Sequence, residues 1–320
     1  MKTYKVSISR GFFLIFTAVV VFAGSISAQP YSRLDLDANR IKWNYLLYEV
    51  KSTKVDVTTE VLLETASQAE ARTAMIESRR GDPVPVPATG CRKITVNTTI
   101  DSMLRPPVKS VDHLWFDPKN ATGLGRFRFR QGDEDFLKVY RFTKQGVFRH
   151  QKEPKNPKEA SLDPDKWTKV VDTFYSYDAD RLGCPSIIDR LLVMYIASTS
   201  GMVETNQPLS LCVFGKRQLF QVKLRPAGLH PVSADYTVKS EQGADRRQNE
   251  VKAARIDLES KALKSDLEKE ENFSFMGFVT NISFFIDPDR NLPIEIRGDT
   301  PLVGGIVFKL KEVRLRKNPG

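Results

Sequence analysis

The sequence predicts a fold dominated by β-structure: a large curled antiparallel sheet with one main helix against its concave face. Three observations predict it. Apolar and polar residues alternate with period two in run after run between Trp43 and Leu315, and these runs are rich in β-branched and aromatic residues. A single segment, beginning at Pro185, instead spaces its apolar residues as a helix does. So many strands in one flat sheet would expose long unpaired edges, a cost that curling reduces.

The chain opens with Lys2, Lys5 and Arg10, continues with a run from Phe12 to Ala23 that is apolar except for Thr17, and reaches small residues ending at Ala28. This is the pattern of a secretory signal peptide over residues 1–28, cut after Ala28, which implies a periplasmic or secreted protein. The apolar run is shorter than the ~20 residues of a membrane span, so no spanning segment is expected after cleavage; an uncleaved anchor is the alternative. Cleavage lowers the formal net charge from +10 by three. A modest basic excess in a secreted protein argues against nucleic acid. It would favour anionic lipid headgroups or acidic polysaccharide, or simply mark a solvated surface, because acidic residues are interspersed throughout.

Residues 29–320 read as a single β-rich domain. "WNYLLYEV" and "KVDVTTEVLL" form a first antiparallel pair, the second placing Val55, Val57, Thr59, Val61 and Leu63 on one face. "KITVNTTI", "GRFRFR", "FLKVYRF" and "KVVDTFYSY" follow as strands. After the helix come "LSLCVF", "RQLFQVKL", "ADYTVK", "FSFMGFVTNISFFI", "LPIEIR" and "GGIVFKLKEVRL". In the helix, Pro185 suits a first turn, and Ile187, Ile188, Leu191, Leu192 and Tyr195 share a stripe that needs cover. The segment from Val251 to Leu263 fits both periods, and periodicity alone does not decide between them. Loop insertions are expected near 79–90 and 151–166, both rich in proline, and near 241–250.

Cys91, Cys184 and Cys212 follow the signal peptide. In an oxidising compartment one disulfide and one free thiol is the simplest arrangement. Cys91 and Cys184 each follow a glycine where an element begins, whereas Cys212 lies inside a strand, so the expected pair is Cys91 with Cys184; three unpaired buried thiols are the alternative.

Little catalytic chemistry is legible. Asp287, Asp289 and Asn291 alternate as calcium ligands would, but an EF-hand loop needs glycine at its sixth position and glutamate at its twelfth, where this chain has Leu292 and Gly298. "DPDRN" is better read as a hairpin turn. His113, His150 and His230 lie far from one another and from cysteine at zinc spacing. No phosphate-binding loop, nucleophile elbow or zincin helix is present, so neither an enzyme nor a bound metal or cofactor is expected. Asn97, Asn120, Asn272 and Asn281 stand in glycosylation sequons, which carry meaning only in a eukaryotic secretory protein.

The sharpest feature is "GRFRFRQ". In a strand, Arg126, Arg128 and Arg130 face one side while Phe127 and Phe129 face the other. If the basic face lines a groove, these three arginines would bind a phosphate or carboxylate headgroup. If it is exterior, they would pair with acids such as Asp133, Glu134 and Asp135.

"ISFFIDPDRNLPIEIRGDTPLVGGIVFKLKEV", with Asp287, Asp289, Arg290, Pro293, Gly304 and Gly305, resembles the closing segment of a secreted bacterial family, domain of unknown function 3108. That segment runs strand, aspartate-rich turn, proline restart and glycine hairpin. The helix from Pro185, the strands of "LSLCVFGKRQLFQVKL" and the segment around Ile256 fall in the family's order, although Asp189 and Arg190 stand where less polar residues belong. The resemblance implies a half-barrel or open barrel, similar to that of periplasmic lipoprotein carriers. It favours a strand over 251–260 and implies no catalytic residues. The function expected is a cell-envelope protein binding a lipid, an acyl chain or another amphipathic ligand inside the curled sheet. The alternative is a ligand-free scaffold acting through protein partners in envelope or exopolysaccharide biogenesis.

Overall fold

The structure, a computed structural model, describes residues 31–52, 55–102, 105–263, 271–301 and 303–316. The expected signal peptide lies outside these residues. Fifteen strands form one sheet. β1 (Trp43–Lys51), β2 (Val55–Ala66), β3 (Cys91–Ser102), β4 (Arg105–Phe116), β5 (Gly123–Gln131), β6 (Phe136–Phe142), β7 (Gly146–Glu153) and β8 (Lys169–Ser176) make an antiparallel meander. The second half contains β9 (Ile187–Asp189), β10 (Leu209–Phe214), β11 (Leu219–Ser240), β12 (Gly243–Ala262), β13 (Thr280–Asp287), β14 (Leu292–Thr300) and β15 (Gly304–Leu315). β15 pairs with β1, so the two halves join at the middle of the sheet and leave β8 and β9 at its ends.

The sheet curls until those ends face one another. Phe142 of β6 and Tyr175 of β8 both pack on Phe214 of β10, with ring centroids 5.9 and 5.8 Å apart. Among the described residues no backbone ladder joins β8 to β9, and this contact is made by side chains. A second closure lies in the long hairpin, where Thr237–Lys239 of β11 run parallel to Glu312–Arg314 of β15. Strands β11 to β15 thereby form a ring of their own.

The interior of the curl is filled by the helix Val193–Thr199, every residue of which is buried. Tyr195 meets the edge of Phe116 on β4, and Tyr48 of β1 donates its hydroxyl hydrogen to the Pro293 carbonyl at 2.6 Å. This helix is shorter than expected. Ile187–Asp189 are strand, paired in parallel with Cys212–Phe214, and Arg190–Leu192 are one 3-10 turn. The segment is buried nearly all round, which produces a helical spacing of apolar residues without requiring a helix.

Three further expectations are corrected or decided. The disulfide joins Cys184 to Cys212, and Cys91 is free and buried. Cys91 lies in a small outer cluster with Ala66, Ala71, Trp115 and Leu124, while Cys184 and Cys212 belong to the main core, so the expected partners stand in different layers. The 241–250 insertion is absent: only Glu241 and Gln242 turn, and Gly243 begins β12. The ambiguous segment through Ala262 is strand, laddered to β11 along its length and to β13 at Ala254–Asp257. The two proline-rich insertions are ordered. Residues 82–84 bond to the end of β6 and the turn after it, Val84 N donating to Phe142 O and Lys144 N to Asp82 O. In the other, the Glu159 carboxylate accepts from Lys155 N, Thr168 N and Thr168 Oγ1.

Candidate functional site

Alternation decides what the curl encloses. On β5, Arg126, Arg128 and Arg130 face inward, and Phe127 faces out, stacked on His113. In register with them stand Tyr140, Lys138 and Phe136 of β6, and across from Lys138 and Tyr140 lie Gln151 and Arg149 of β7. On the other side are Asp112, Ser110 and Val108 of β4 and Val96, Thr98 and Ile100 of β3. Together with Arg190, Leu191, the Gly215–Arg217 turn and the stretch 274–279, these side chains line a hollow of about 900 Å³. That is large enough for a small-molecule ligand.

The floor is an ion cluster. Arg126 is buried and bonds Asp112 at 2.6 Å and Asp189 at 3.2 Å, while Arg128 stands 3.6 Å from Asp112. Burial alone would lower the pKa of Arg126, but Asp112 and Asp189 outweigh it and raise it. For Asp112, burial works toward a neutral acid, yet Arg126 and Arg128 hold its carboxyl below the ordinary range. Arg126 is thus committed to structure, tying β4 and β5 to β9. Asp189 also accepts the Leu191 N–H at 2.9 Å, which ends β9 and starts the 3-10 turn.

Above the floor the cations outnumber their partners. Burial, with Arg128, Arg149 and Lys216 nearby, pushes Lys138 down to about 8. Its ammonium rests 3.6 Å from the centre of the Phe136 ring. Burial, with Arg126 and Arg128, lowers Arg190 to about 10, and its guanidinium donates to the Ser274 hydroxyl at 2.6 Å. The Nε atoms of Arg128 and Arg149 are buried without a hydrogen-bond acceptor. Arg217 and Lys216 share Glu271 at 3.2 and 4.0 Å. The β3–β4 side is different: Val96, Ile100 and Val108, with Met276 and Val279, present apolar surface beside the Thr98 and Ser110 hydroxyls.

Of the three arginines expected at the site, all line the hollow, with unequal freedom. Arg126 is consumed by its acids, Arg130 is paired with Asp133 at 2.6 Å, and Arg128 makes the loosest contact, its Nε 3.6 Å from Asp112 without a hydrogen bond. Both sequence readings of this face are therefore partly realised: it lines a concavity, and it pairs with nearby acid. Lys138, Arg149, Arg190, Lys216 and Arg217 were not anticipated. For Lys138 and Arg149 the signal was the same alternation in "FLKVYRF" and "GVFRHQKE"; for Arg190 it was the polarity that departs from the family pattern.

The other candidates lie elsewhere. Asp287 caps its own turn, accepting the Asp289 N–H at 3.0 Å, and Asn291 takes the left-handed conformation (φ 49°) that closes it. Pro288, Asp289 and Arg290 line a second hollow of about 610 Å³ beneath the long hairpin. His113 bonds Thr95, His150 bonds Asp172 at 2.7 Å, and His230 bonds the Ala227 carbonyl; none lines the cationic hollow.

No family model matches the chain, and no curated protein does. Among solved structures the chain is similar to a "Beta-barrel-like Protein of Domain of Unknown Function DUF1849 from Brucella abortus", at 10% identity and a TM-score of 0.42, covering 87% of this chain and 99% of that one.

Proposed function

We propose that the protein binds an anionic amphiphile in the hollow of its curled sheet, as a component of the cell envelope. The observation that supports this is the two-sided lining. Cations from β5, β6, β7 and the Gly215–Arg217 turn make one part of the lining, and aliphatic side chains from β3, β4 and 276–279 make another part of the same cavity. An acid group would lie on the first part and a hydrocarbon portion on the second. Of the hydrophobic or amphipathic ligands expected from sequence, the amphipathic kind is better supported, because the helix Val193–Thr199 occupies an apolar part of the curl. The Cys184–Cys212 bridge fits an oxidising compartment, as the signal peptide does. Kinship with family 3108 remains part of this proposal. It rests on the turn and hairpin at Asp287–Gly305 and on the curled sheet, without a matching family model.

Native mass spectrometry with organic extraction, on the mature chain purified from a bacterial periplasm without detergent, tests the reading. A stoichiometric adduct of acidic lipid mass is expected. A bare polypeptide mass that also takes up no added alkyl acid would sink the reading and favour the scaffold alternative.

A further inference from the structure

We propose that the head group taken by the hollow is a phosphate monoester, a dianion with three terminal oxygens, in preference to the carboxylate of a fatty acid. This rests on the reading that the hollow binds an anionic amphiphile, and it names the chemistry of the anion.

Charge is the first argument. Eight cationic side chains line the hollow, Arg126, Arg128, Arg130, Lys138, Arg149, Arg190, Lys216 and Arg217, against four acids, Asp112, Glu134, Asp135 and Glu153. Their ion-pair partners outside the lining are Asp133, Asp189 and Glu271 on the acidic side and Lys169 on the basic side. With these included, nine cations face seven anions, an excess of two positive charges. A carboxylate neutralises one. A phosphate monoester, whose second ionisation falls near pH 6, neutralises both at neutral pH.

Donor geometry is the second. Arg128 and Lys138 are directly opposite in the β5–β6 register, and Arg149 stands opposite Tyr140, one inward position along from Lys138. Neighbouring strands lie about 4.8 Å apart and successive inward positions about 6.7 Å, so the three long side chains are close enough to converge on one anion, Arg149 also donating from Nη2 to Thr173 Oγ1 at 3.0 Å. The Nε–H of Arg149 is buried with no hydrogen-bond acceptor, that of Arg128 stands 3.6 Å from Asp112, an ion pair beyond hydrogen-bond distance, and among the described residues Lys138 has no acid within ion-pair distance. Three donors approaching from three strands suit the tetrahedral oxygens of a phosphate. The acceptor sites of a carboxylate lie in one plane, so donors arriving from three strands fit them less well. The ester oxygen then leads toward Val96, Ile100 and Val108, where an alkyl or prenyl chain has apolar surface to cover.

The test is calorimetric titration of the full mature chain at pH 7.5 with dodecyl phosphate, dodecyl sulfate, dodecanoate and inorganic phosphate, each below its micellar concentration. Dodecyl phosphate is expected to bind at least tenfold more tightly than the sulfate, which has the same shape but one charge, and than dodecanoate. Lys138→Met and Arg149→Gln, each first shown to unfold cooperatively, are expected to bring the phosphate within about threefold of the other two. Equal binding of phosphate, sulfate and carboxylate would overturn the dianion argument and leave the amphiphile reading standing. Inorganic phosphate binding as tightly as dodecyl phosphate would uphold the dianion and overturn the amphiphile. No binding by any of the four would overturn both.

Discussion

Replacing Lys138 with methionine separates binding from stability, because the two effects have opposite signs. In the folded protein the ammonium lies among Arg128, Arg149 and Lys216, and its pKa is pushed from 10.5 to about 8 by burial and then by those neighbours. At about 1.36 kcal/mol per pKa unit, a shift of that size sets an upper limit of about 3.4 kcal/mol on the cost of holding the charge. Lys138 is partly open to solvent, which screens such interactions and reduces the figure to about 1 kcal/mol. Methionine keeps an unbranched chain against Phe136 and forfeits a cation–π contact worth about 0.5–1 kcal/mol. Ligand-free Lys138→Met is therefore expected to match the parent or exceed it by up to about 0.5 kcal/mol at pH 7, a rise of up to about 2 °C in Tm. The pH dependence fixes the sign. With a folded pKa below the unfolded one, the unfolded chain binds more protons between about pH 8 and pH 10.5, so the parent gains stability on that interval and closes the gap. Thermal melts at pH 7 and pH 10.5, with and without dodecyl phosphate, read all of this. A variant destabilised by more than about 1 kcal/mol at pH 7, or a gap indifferent to pH, would refute the picture of Lys138 as a cation held ready for an anion.

The floor of the hollow should behave in the reverse manner. Arg126→Leu leaves Asp112 and Asp189 buried without their cation, and a loss of about 3–5 kcal/mol is expected in urea unfolding; a loss below about 1 kcal/mol would show that the cluster is not a structural tie. Because the Asp112 carboxyl is held below its ordinary range, its stabilising contribution is present above the unfolded carboxylate pKa and is lost as pH falls through the folded one. Acid titration of the parent should show this loss, and Asp112→Asn should flatten it. Removing the disulfide as Cys184→Ala with Cys212→Ala opens a loop closed over a sequence separation of 28 residues and is expected to cost about 3–4 kcal/mol by chain entropy. Cys91, with its thiol pushed up to about 11 mainly by burial, should resist iodoacetamide in the native protein and react only after unfolding; rapid native labelling would contradict its placement.

The sheet was legible because period-two alternation survives in strands with one buried face, as in Val57, Thr59, Val61 and Leu63 of β2. The same signal ordered Arg126, Arg128 and Arg130 onto one side, but alternation does not tell which side is concave. That depends on where the sheet's two ends meet, and residues far apart in sequence decide it. Ile187, Ile188 and Leu191 misled for the converse reason: a segment buried on all sides has no polar face from which to read a period. The disulfide was out of reach because Cys184 meets Cys212 through a parallel pairing of a three-residue strand, a contact too short to leave a pattern. Asp189 and Arg190 were visible as misplaced polarity in an apolar run. Burying a charge requires a partner, so such residues mark a place where distant elements converge.

That convergence bears on how the hollow would respond to its ligand. Among the described residues the two ends of the curl are not joined by a backbone ladder. They are joined by Arg126 to Asp189, and by Phe142 and Tyr175 to Phe214. An anion held by Arg128, Lys138 and Arg149 of β5 to β7 and reached by Arg190 or Arg217 from the second half of the chain would add a second tie across the same seam. Strands β6 to β8 end at the free edge β8, where Val170 and Val171 are exposed and one row of backbone groups is unpaired. These strands have the least to hold them, so they should gain the most. Amide exchange in 136–176 should slow on binding dodecyl phosphate, while β13 and β14, inside the closed ring of β11 to β15, should not change. Uniform slowing across all strands would instead mean that the ligand stabilises the fold as a whole, with no tie across the seam.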